Sequence, residues 1–407
     1  MSGAPAAAAP LRRDDGVDLL RGVAIGLVLL LHFSLTYRLS QSPLAAPFGP
    51  GPVRALVSNG NFAVTMFFVV SGFLITTNTL RRSGGRLDGV DLRDFYVRRA
   101  SRIGPPLLLA LALIVALGCA GVPSLANRVH GVLQPDAWFL VAAGSVLTFT
   151  HNLLMQSAGY FNYALNIYWS LSVEEAFYLA FPLLCLALPR QRFVVAVCLA
   201  TVAVGPFYRA QHADDEIRFM YAYAACFDAI ALGVLAALAA ARLAISPRLA
   251  RAGAIGAAAL LAFFYLHGIR GHEVFGFTAV ALCTAALLVC NASLRGPTLA
   301  GGRAWAPLRW AGRHSYELYL FHIVVLALLR DALPRDLVGY GSKLPLLALY
   351  LLLSAGVAAA VARWVSVPAD RSLRRLFLAA RTSSRDARAV LAPIPGHPIA
   401  GPDKELS

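Results

Sequence analysis

The sequence predicts an all-α polytopic membrane protein, and three observations predict it. Of its 407 residues, 58% are apolar or aromatic and only 14% are charged, against about 25% charged in ordinary soluble chains. The apolar residues fall in blocks of about 20, the length of a spanning helix and about twice that of a barrel strand. Short basic stretches separate the blocks, and in lipid only helices or closed barrels satisfy their own backbone groups. A cytosolic globular enzyme, a secreted disulfide scaffold and a disordered chain are thereby excluded. The formal net charge of +15 would point to nucleic acid in a soluble protein. Here the placement of the arginines explains it, and no nucleic-acid partner is expected.

Residues 1–16, with an Ala/Pro run and Arg12 and Arg13, read as a disordered lead. The first apolar block opens on Asp18 and Arg21 and has no clear cleavage site, so a cleaved signal peptide is not expected. Ten long apolar segments then predict ten spans, at 17–37, 61–80, 103–122, 171–189, 193–208, 222–241, 252–268, 274–292, 312–329 and 344–366. An eleventh stretch, 138–154, is weaker and contains His151 and Asn152. The membrane domain is bounded at 17–370. Residues 371–407, basic and then Pro-rich, read as a disordered tail. All six cysteines lie in apolar blocks with no CxxC and no His at metal-ligand spacing. They are expected to be small core residues, with no metal and no bound cofactor.

The arginines decide the topology, because Lys and Arg concentrate on the cytoplasmic side of a membrane. With ten spans and 138–154 re-entrant or interfacial, 25 of the 36 Lys and Arg fall inside and 9 outside, Arg21 and Arg363 lying within spans. If 138–154 crosses, the split becomes 15 against 19. The first arrangement is preferred, and it puts both termini in the cytoplasm.

Ionisable groups within spans are costly and mark function. Arg21 and His32 are 11 residues apart, which is three turns plus about 20°, so they share one face of the first helix. Their axial separation is about 16.5 Å. Asp18 lies one turn before Arg21, where the two can pair. The run Tyr168-Trp169-Ser170-Leu171-Ser172-Val173-Glu174-Glu175 opens another helix from the outer side. Its adjacent carboxylates lie about 100° apart, so one of them, Glu174, is expected to face a site, together with Tyr178 at i+4. Glu175 better suits a helix-dipole role. Residues 81–102 hold seven arginines. Among them Arg99 and Arg102, with Arg98 beside them, can form a cationic face suited to phosphate. Ser71-Gly72 allows close backbone approach. Ser315, Tyr319 and His322 share a face of the ninth span. Asp228 reads as a packing or hydrogen-bonding group.

Taken together, these motifs resemble the acyltransferase-3 family, the OafA-like transmembrane O-acyltransferases. The resemblance rests on the Arg-x10-His of Arg21 and His32, on Phe67-Phe68-Val69-Val70-Ser71-Gly72-Phe73-Leu74, and on the Arg-x-x-Arg of Arg99 and Arg102. It rests also on Trp169-Ser170-Leu171-Ser172-Val173-Glu174 and on Ser315-Tyr316-Glu317-Leu318-Tyr319-Leu320-Phe321-His322, all in family order over roughly residues 14–370. The resemblance implies transfer of an acyl group, usually acetyl from acetyl-CoA, to a hydroxyl of a carbohydrate or glycolipid. It points to Arg21, His32, Arg99, Arg102 and Glu174 as functional. Many members end the last span with a Glu shortly before Pro. This chain has Trp364-Val365-Ser366-Val367-Pro368 there, which removes an acid from that position. No esterase-like domain follows the last span, so a stand-alone version is expected.

The implied arrangement places acyl-CoA, a co-substrate, at the cytoplasmic face with its phosphates on Arg99, Arg102 and Arg98. Its pantetheine arm runs past Arg21 toward His32. His32 then acts as general base on the acceptor hydroxyl or carries the acyl group itself. Glu174 orients the imidazole or binds the acceptor, and Tyr319 and His322 contact the oxyanion or acceptor. The expected setting is a bacterial inner membrane, the acceptor an envelope or exported polysaccharide. A secondary transporter of a polar solute is the alternative, but it should show two related halves, and no repeat is visible. A lipid-linked-sugar glycosyltransferase is disfavoured because residues 38–60 contain no Asp or Glu.

Overall fold

The computed structural model describes residues 14–294 and 299–378. Asp14 caps the first helix, α1 (Asp15–Tyr37), by accepting from the Gly16 and Val17 amides. The helix therefore starts two residues before the expected boundary, and residues 1–13 of the expected lead lie outside the described residues. Short helices α2 (Ala45–Phe48) and α3 (Pro50–Ser58) lead into α4 (Gly60–Arg82), and α5 (Leu92–Cys119) comes next. A two-residue hairpin, β1 (Arg128–Val129) with β2 (Val132–Leu133), precedes α6 (Trp138–Leu147) and α7 (His151–Ala158). Then come α8 (Trp169–Ala187), α9 (Gln191–Gln211), α10 (Glu216–Tyr221), α11 (Tyr223–Ala240), α12 (Pro247–His267) and α13 (Gly276–Ser293). The chain closes with α14 (Ala306–Arg313), α15 (Ser315–Ala332), α16 (Lys343–Val361) and α17 (Val367–Leu378).

Among the described residues, nine helical stretches are long and apolar enough to cross a membrane. The remaining expected position is occupied by α15, whose 18 residues carry Glu317, Arg330 and Asp331 and are less apolar for that reason. The chain is an all-α multi-pass membrane protein.

Side-chain contacts sort the connections into two ends of the bundle. At one end Asp14 meets Asn291, Asp15 meets Arg309, Arg82 meets Asp94, and Gln191 meets Arg242. At the other, Tyr37 meets Leu333, Lys343 meets Gln41, Asn59 meets Tyr265, and Ser124 meets Asp331. These are the groupings that the arginine count assigned to two faces.

The 138–154 stretch is broken. α6 has ten residues, about 15 Å of helix, half of a hydrocarbon core of about 30 Å. A turn with Phe149 at φ +59° separates it from α7. The side chain of Asn162, after α7, donates to the Leu125 carbonyl and to Asn127 Oδ1 at 2.8 Å, before α6. The segment thus leaves and returns at the same end of the bundle, as expected for a re-entrant element.

Two glycine contacts set the packing. A Cβ on Gly72 of α4 would collide with the Ile230 carbonyl of α11, and one on Gly233 of α11 with the Val69 carbonyl of α4. Gly22 of α1 and Gly312 of α14 are matched in the same way against the Leu308 and Asp18 carbonyls. Without a hydrophobic force between helices in lipid, such close backbone approach supplies the van der Waals contact that holds them.

The disorder expected for residues 371–407 is corrected over 371–378. A π-turn at Ala362–Ser366 shifts the hydrogen-bond register, the Val367 amide bonding the Ala362 carbonyl. Pro368 falls in the first turn of α17, where its missing N–H costs little. The helix runs to Leu378, docked on α5 through Ser101 and Asp370 at 2.7 Å. The rest of the tail, 379–407, lies outside the described residues. Of the six cysteines, all unpaired, Cys119 is exposed and Cys290 half-buried; the other four are buried as expected.

Candidate functional site

A cavity of about 760 Å³ opens at the arginine-rich end, between α4, α5, α8, α15 and α17. It follows α4 from Arg82 to Val64, an axial run of about 27 Å. Arg82, Arg98, Arg102 and Arg374 line its mouth, while Ser170 and Tyr319 line its inner end. Of the residues expected from the sequence, Arg21, Ser71, Arg98, Arg99, Arg102, Glu174 and Tyr319 all line this one cavity. Asp18 is buried three residues before Arg21, beneath the α14 contact.

The mouth is built on a helical stub. α5 starts at Leu92, eleven residues before the apolar run that was read as the span, and so raises Arg98, Arg99 and Arg102 as successive positions of a helix. Gly104-Pro105-Pro106 interrupt its hydrogen-bond ladder, and the Tyr316 hydroxyl donates to the Ile103 carbonyl there at 3.0 Å. Asp94 accepts from Arg98 Nε at 2.7 Å and from Arg82 Nη1 at 2.8 Å. Arg102 is exposed and forms no ion pair among the described residues.

Deeper in, charges meet. Arg21 donates to Ser315 Oγ at 2.7 Å. The Arg99 guanidinium stacks on the Tyr178 ring, 3.3 Å from its centroid. A cation over an aromatic face is worth about 2 kcal/mol when desolvated. The Tyr178 hydroxyl bonds Ser71 and donates to Glu174 Oε2 at 3.3 Å. Glu174 and Tyr178 do share a face, as the i+4 spacing predicted. The reading that only one of the adjacent carboxylates faces the site is corrected: both Glu174 and Glu175 line the cavity. Glu175 is the seventh residue of α8, beyond the first turn where the helix dipole acts. It is buried, and its Oε1 has no hydrogen-bond partner among the described residues. Arg99 Nε is likewise without one. Two guanidiniums thus oppose two carboxylates, which offsets the cost of placing either in lipid.

His32 lies beyond the cavity. Its ring is 5.1 Å from that of His322, which in turn is 6.0 Å from Tyr319 at the inner end. The face of α1 that carries Arg21 and His32 therefore meets the face of α15 that carries Ser315, Tyr319 and His322. His322 is fully buried, and its Nδ1 faces the Leu318 carbonyl at 2.9 Å. Assigning the proton to Nδ1 satisfies that bond and leaves Nε2 an acceptor with no partner among the described residues. The Tyr319 hydroxyl donates to the Ile167 carbonyl and meets the Ser170 hydroxyl, both at 2.7 Å. A smaller cleft of about 300 Å³ opens at the opposite end of the bundle, lined by Leu31, Ser34, Arg38 and Arg54. His32 lines neither opening.

Sequence reasoning missed several of these. Tyr178 was noted only as a neighbour of Glu174. Arg374 was assigned to a tail. Arg209 was counted in an outer loop, yet it is buried in α9 and pairs with Asp228 Oδ2 of α11 at 2.8 Å, with Val274 and Ala225 carbonyls taking its other donors. A lone acid at 228 within an apolar block was the signal that a cation must lie nearby.

The site is thus a long, arginine-mouthed cavity in a multi-pass helical bundle, ending near paired imidazoles. The Acyl_transf_3 family, an acyltransferase domain, matches residues 14–364, and the chain belongs to that family. It is 23% identical over 339 residues to the O-acetyltransferase OatA of Staphylococcus aureus, covering 76% of this chain and 50% of that protein. It is 24% identical over 332 residues to the peptidoglycan O-acetyltransferase OatA of Listeria monocytogenes, covering 77% and 49%. The chain thus spans about half the length of these curated relatives. No solved structure matches it.

Proposed function

We propose that the protein is a membrane O-acyltransferase that moves an acyl group, acetyl in the simplest case, from cytoplasmic acyl-CoA to a hydroxyl of a cell-envelope glycan on the outer side. The observation that carries this reading is one cavity that runs from a cluster of arginines to Tyr319, with the His322 ring 6.0 Å from Tyr319 and the His32 ring 5.1 Å from His322. Family membership supports it, as do relatives named for O-acetylation. The arginine count supports placing the cavity mouth in the cytoplasm.

In this account Arg98, Arg99 and Arg102 bind the phosphates of the donor, and its arm runs inward along α4 past Arg21 and Glu174. The about 27 Å of cavity suits an extended nucleotide thioester. The thioester carbonyl reaches the Tyr319 end. The acceptor enters through the cleft by Ser34 and Arg38, on the other side of His32. His32 takes the proton of the acceptor hydroxyl, whose oxygen attacks the carbonyl. The C–S bond breaks, and the leaving thiolate takes up the proton that His32 removed from the hydroxyl, which restores the neutral imidazole. His322, fixed by Leu318, offers Nε2 to the protonated His32 pair. Tyr319 and Ser170, whose hydroxyls bond each other and the Ile167 carbonyl, line the end of the cavity that the thioester carbonyl reaches. Glu174 and Glu175 share the cavity wall with Arg99 and Arg21 and offset their charge.

The test is O-acylation of envelope glycan in cells whose only copy carries His32→Ala. Loss of a general base lowers the rate about 10²- to 10⁴-fold, so acylation should vanish while the protein remains in the membrane at its normal level. Acylation at the wild-type level in that variant sinks the assignment of His32.

A further inference from the structure

We propose that Arg374 of α17 is a phosphate-binding residue of the same cavity, set opposite Arg98 so that the two form a clamp on a multiply phosphorylated nucleotide. The proposal rests on the donor reading above and extends the site to a helix that lies beyond residue 364, where the family match ends.

The argument is geometric. Arg98 and Arg374 are held in the same way on different helices. Asp94, four residues before Arg98, accepts its Nε at 2.7 Å, and Asp370, four residues before Arg374, accepts its Nε at 2.7 Å. A guanidinium gripped at Nε has its fork fixed and its two terminal nitrogens left to donate together, the geometry that matches a phosphate. No other partner is formed by the terminal nitrogens of either arginine among the described residues. Both side chains are about a third exposed, at 34% and 32%, and both line the cavity.

The two units are coupled. Ser101, buried one turn after Arg98 on α5, donates to Asp370 Oδ1 at 2.7 Å, and Arg374 Nε also approaches Ser101 Oγ at 3.4 Å. Docking of α17 on α5 therefore fixes the position of Arg374 relative to Arg98. At the mouth Arg82, Arg93, Arg98, Arg102 and Arg374 then face three carboxylates, Asp91 and Asp94 in the lining and Asp370 paired with Arg374. This excess of positive charge lines a recess, and a compact polyanion would neutralise it. Arg375, the next residue, is exposed and does not line the cavity. The ligand chemistry this selects is a nucleotide carrying several phosphates.

The experiment measures binding of coenzyme A to the purified full-length protein in nanodiscs. Arg374→Gln should weaken binding about tenfold or more, the scale of one charged hydrogen-bonding contact. Arg375→Gln, which removes the same charge one residue away, should leave it unchanged, and Arg374→Lys should fall between. Under turnover, the donor KM should rise for Arg374→Gln while kcat at saturation is retained. If Arg374→Gln does not fold, Asp370→Asn keeps the Arg374 cation but frees its fork, and should weaken binding a few-fold. Equal affinity for Arg374→Gln and wild type overturns the clamp while the donor reading stands. So does an equal loss for Arg374→Gln and Arg375→Gln. A change confined to nanodiscs of anionic lipid assigns Arg374 to headgroups and overturns it too. Failure of the wild type to bind coenzyme A overturns the donor reading together with the clamp.

Discussion

His322 shows what a side chain gains from the backbone around it. Its own helix takes one ring nitrogen, at the Leu318 carbonyl, and leaves the other without a partner among the described residues, with the His32 ring 5.1 Å away. In the proposed mechanism His322 is a positioning residue. His322→Gln should reduce kcat about ten- to a hundredfold with little change in donor KM, since it does not line the donor cavity; a raised donor KM with kcat intact would contradict this. The pair Arg99→Ala and Arg102→Ala should do the reverse and weaken coenzyme A binding, and an unchanged affinity would reduce both to anchors of topology. Face arithmetic on single helices made Arg21, His32, Glu174, Tyr319 and His322 legible in the sequence. It gave which residues share a side, but not which reach the cavity. His32 shares its face with Arg21 yet lies beyond the cavity's inner end, and Glu175 was set aside because one helix offers one face whereas a cavity can wrap around two. Arg374 and Tyr178 were missed because what defines them is a partner on another helix.

At the scale of elements, buried charge and small residues fix how helices meet. The Arg209–Asp228 pair joins α9 to α11, with Thr278 of α13 bonded to the same carboxylate at 2.7 Å. Both side chains are fully buried. Breaking such a pair on one side leaves a bare buried charge at a cost of about 3–5 kcal/mol, while replacing both by apolar groups is often neutral. Asp228→Leu should therefore sharply lower the melting temperature in detergent, and the double variant Arg209→Met with Asp228→Leu should recover most of it. Equal destabilisation of the single and the double variant would contradict this account of the pair. Gly72 and Gly233 act at the α4–α11 crossing by the opposite means, having no side chain at all. The sequence showed Ser71-Gly72 as a point of close approach but could not name α11 as the partner. It read 92–102 as loop because arginines dominated the local composition, yet Asp91 caps a helix there by accepting from the Asp94 amide. It likewise read 371–378 as tail from a basic and then Pro-rich composition, yet after a change of register the helix carries through Pro368 to Leu378.

At the scale of the whole molecule, charge asymmetry proved the most informative quantity, because it sums over the chain and needs no local detail. It grouped the connections into the two ends that the side-chain contacts then reproduced, and it demoted 138–154, which the Asn162 contacts return to its own starting end. In a background without native cysteines, Val132→Cys and Tyr160→Cys should therefore react with a membrane-impermeant thiol reagent from the same side, and Arg86→Cys only from the other. Labelling of Val132→Cys and Tyr160→Cys from opposite sides would mean that the segment crosses. The central claim is transfer between these two sides through one site. Its most direct measurement uses purified protein in sealed vesicles with radiolabelled acetyl-CoA on the side of the arginine-rich mouth and a glycan acceptor enclosed on the other. The account predicts labelled glycan with the wild type and none with His32→Ala; labelling only when donor and acceptor share a side, or at an undiminished rate with His32→Ala, would contradict it.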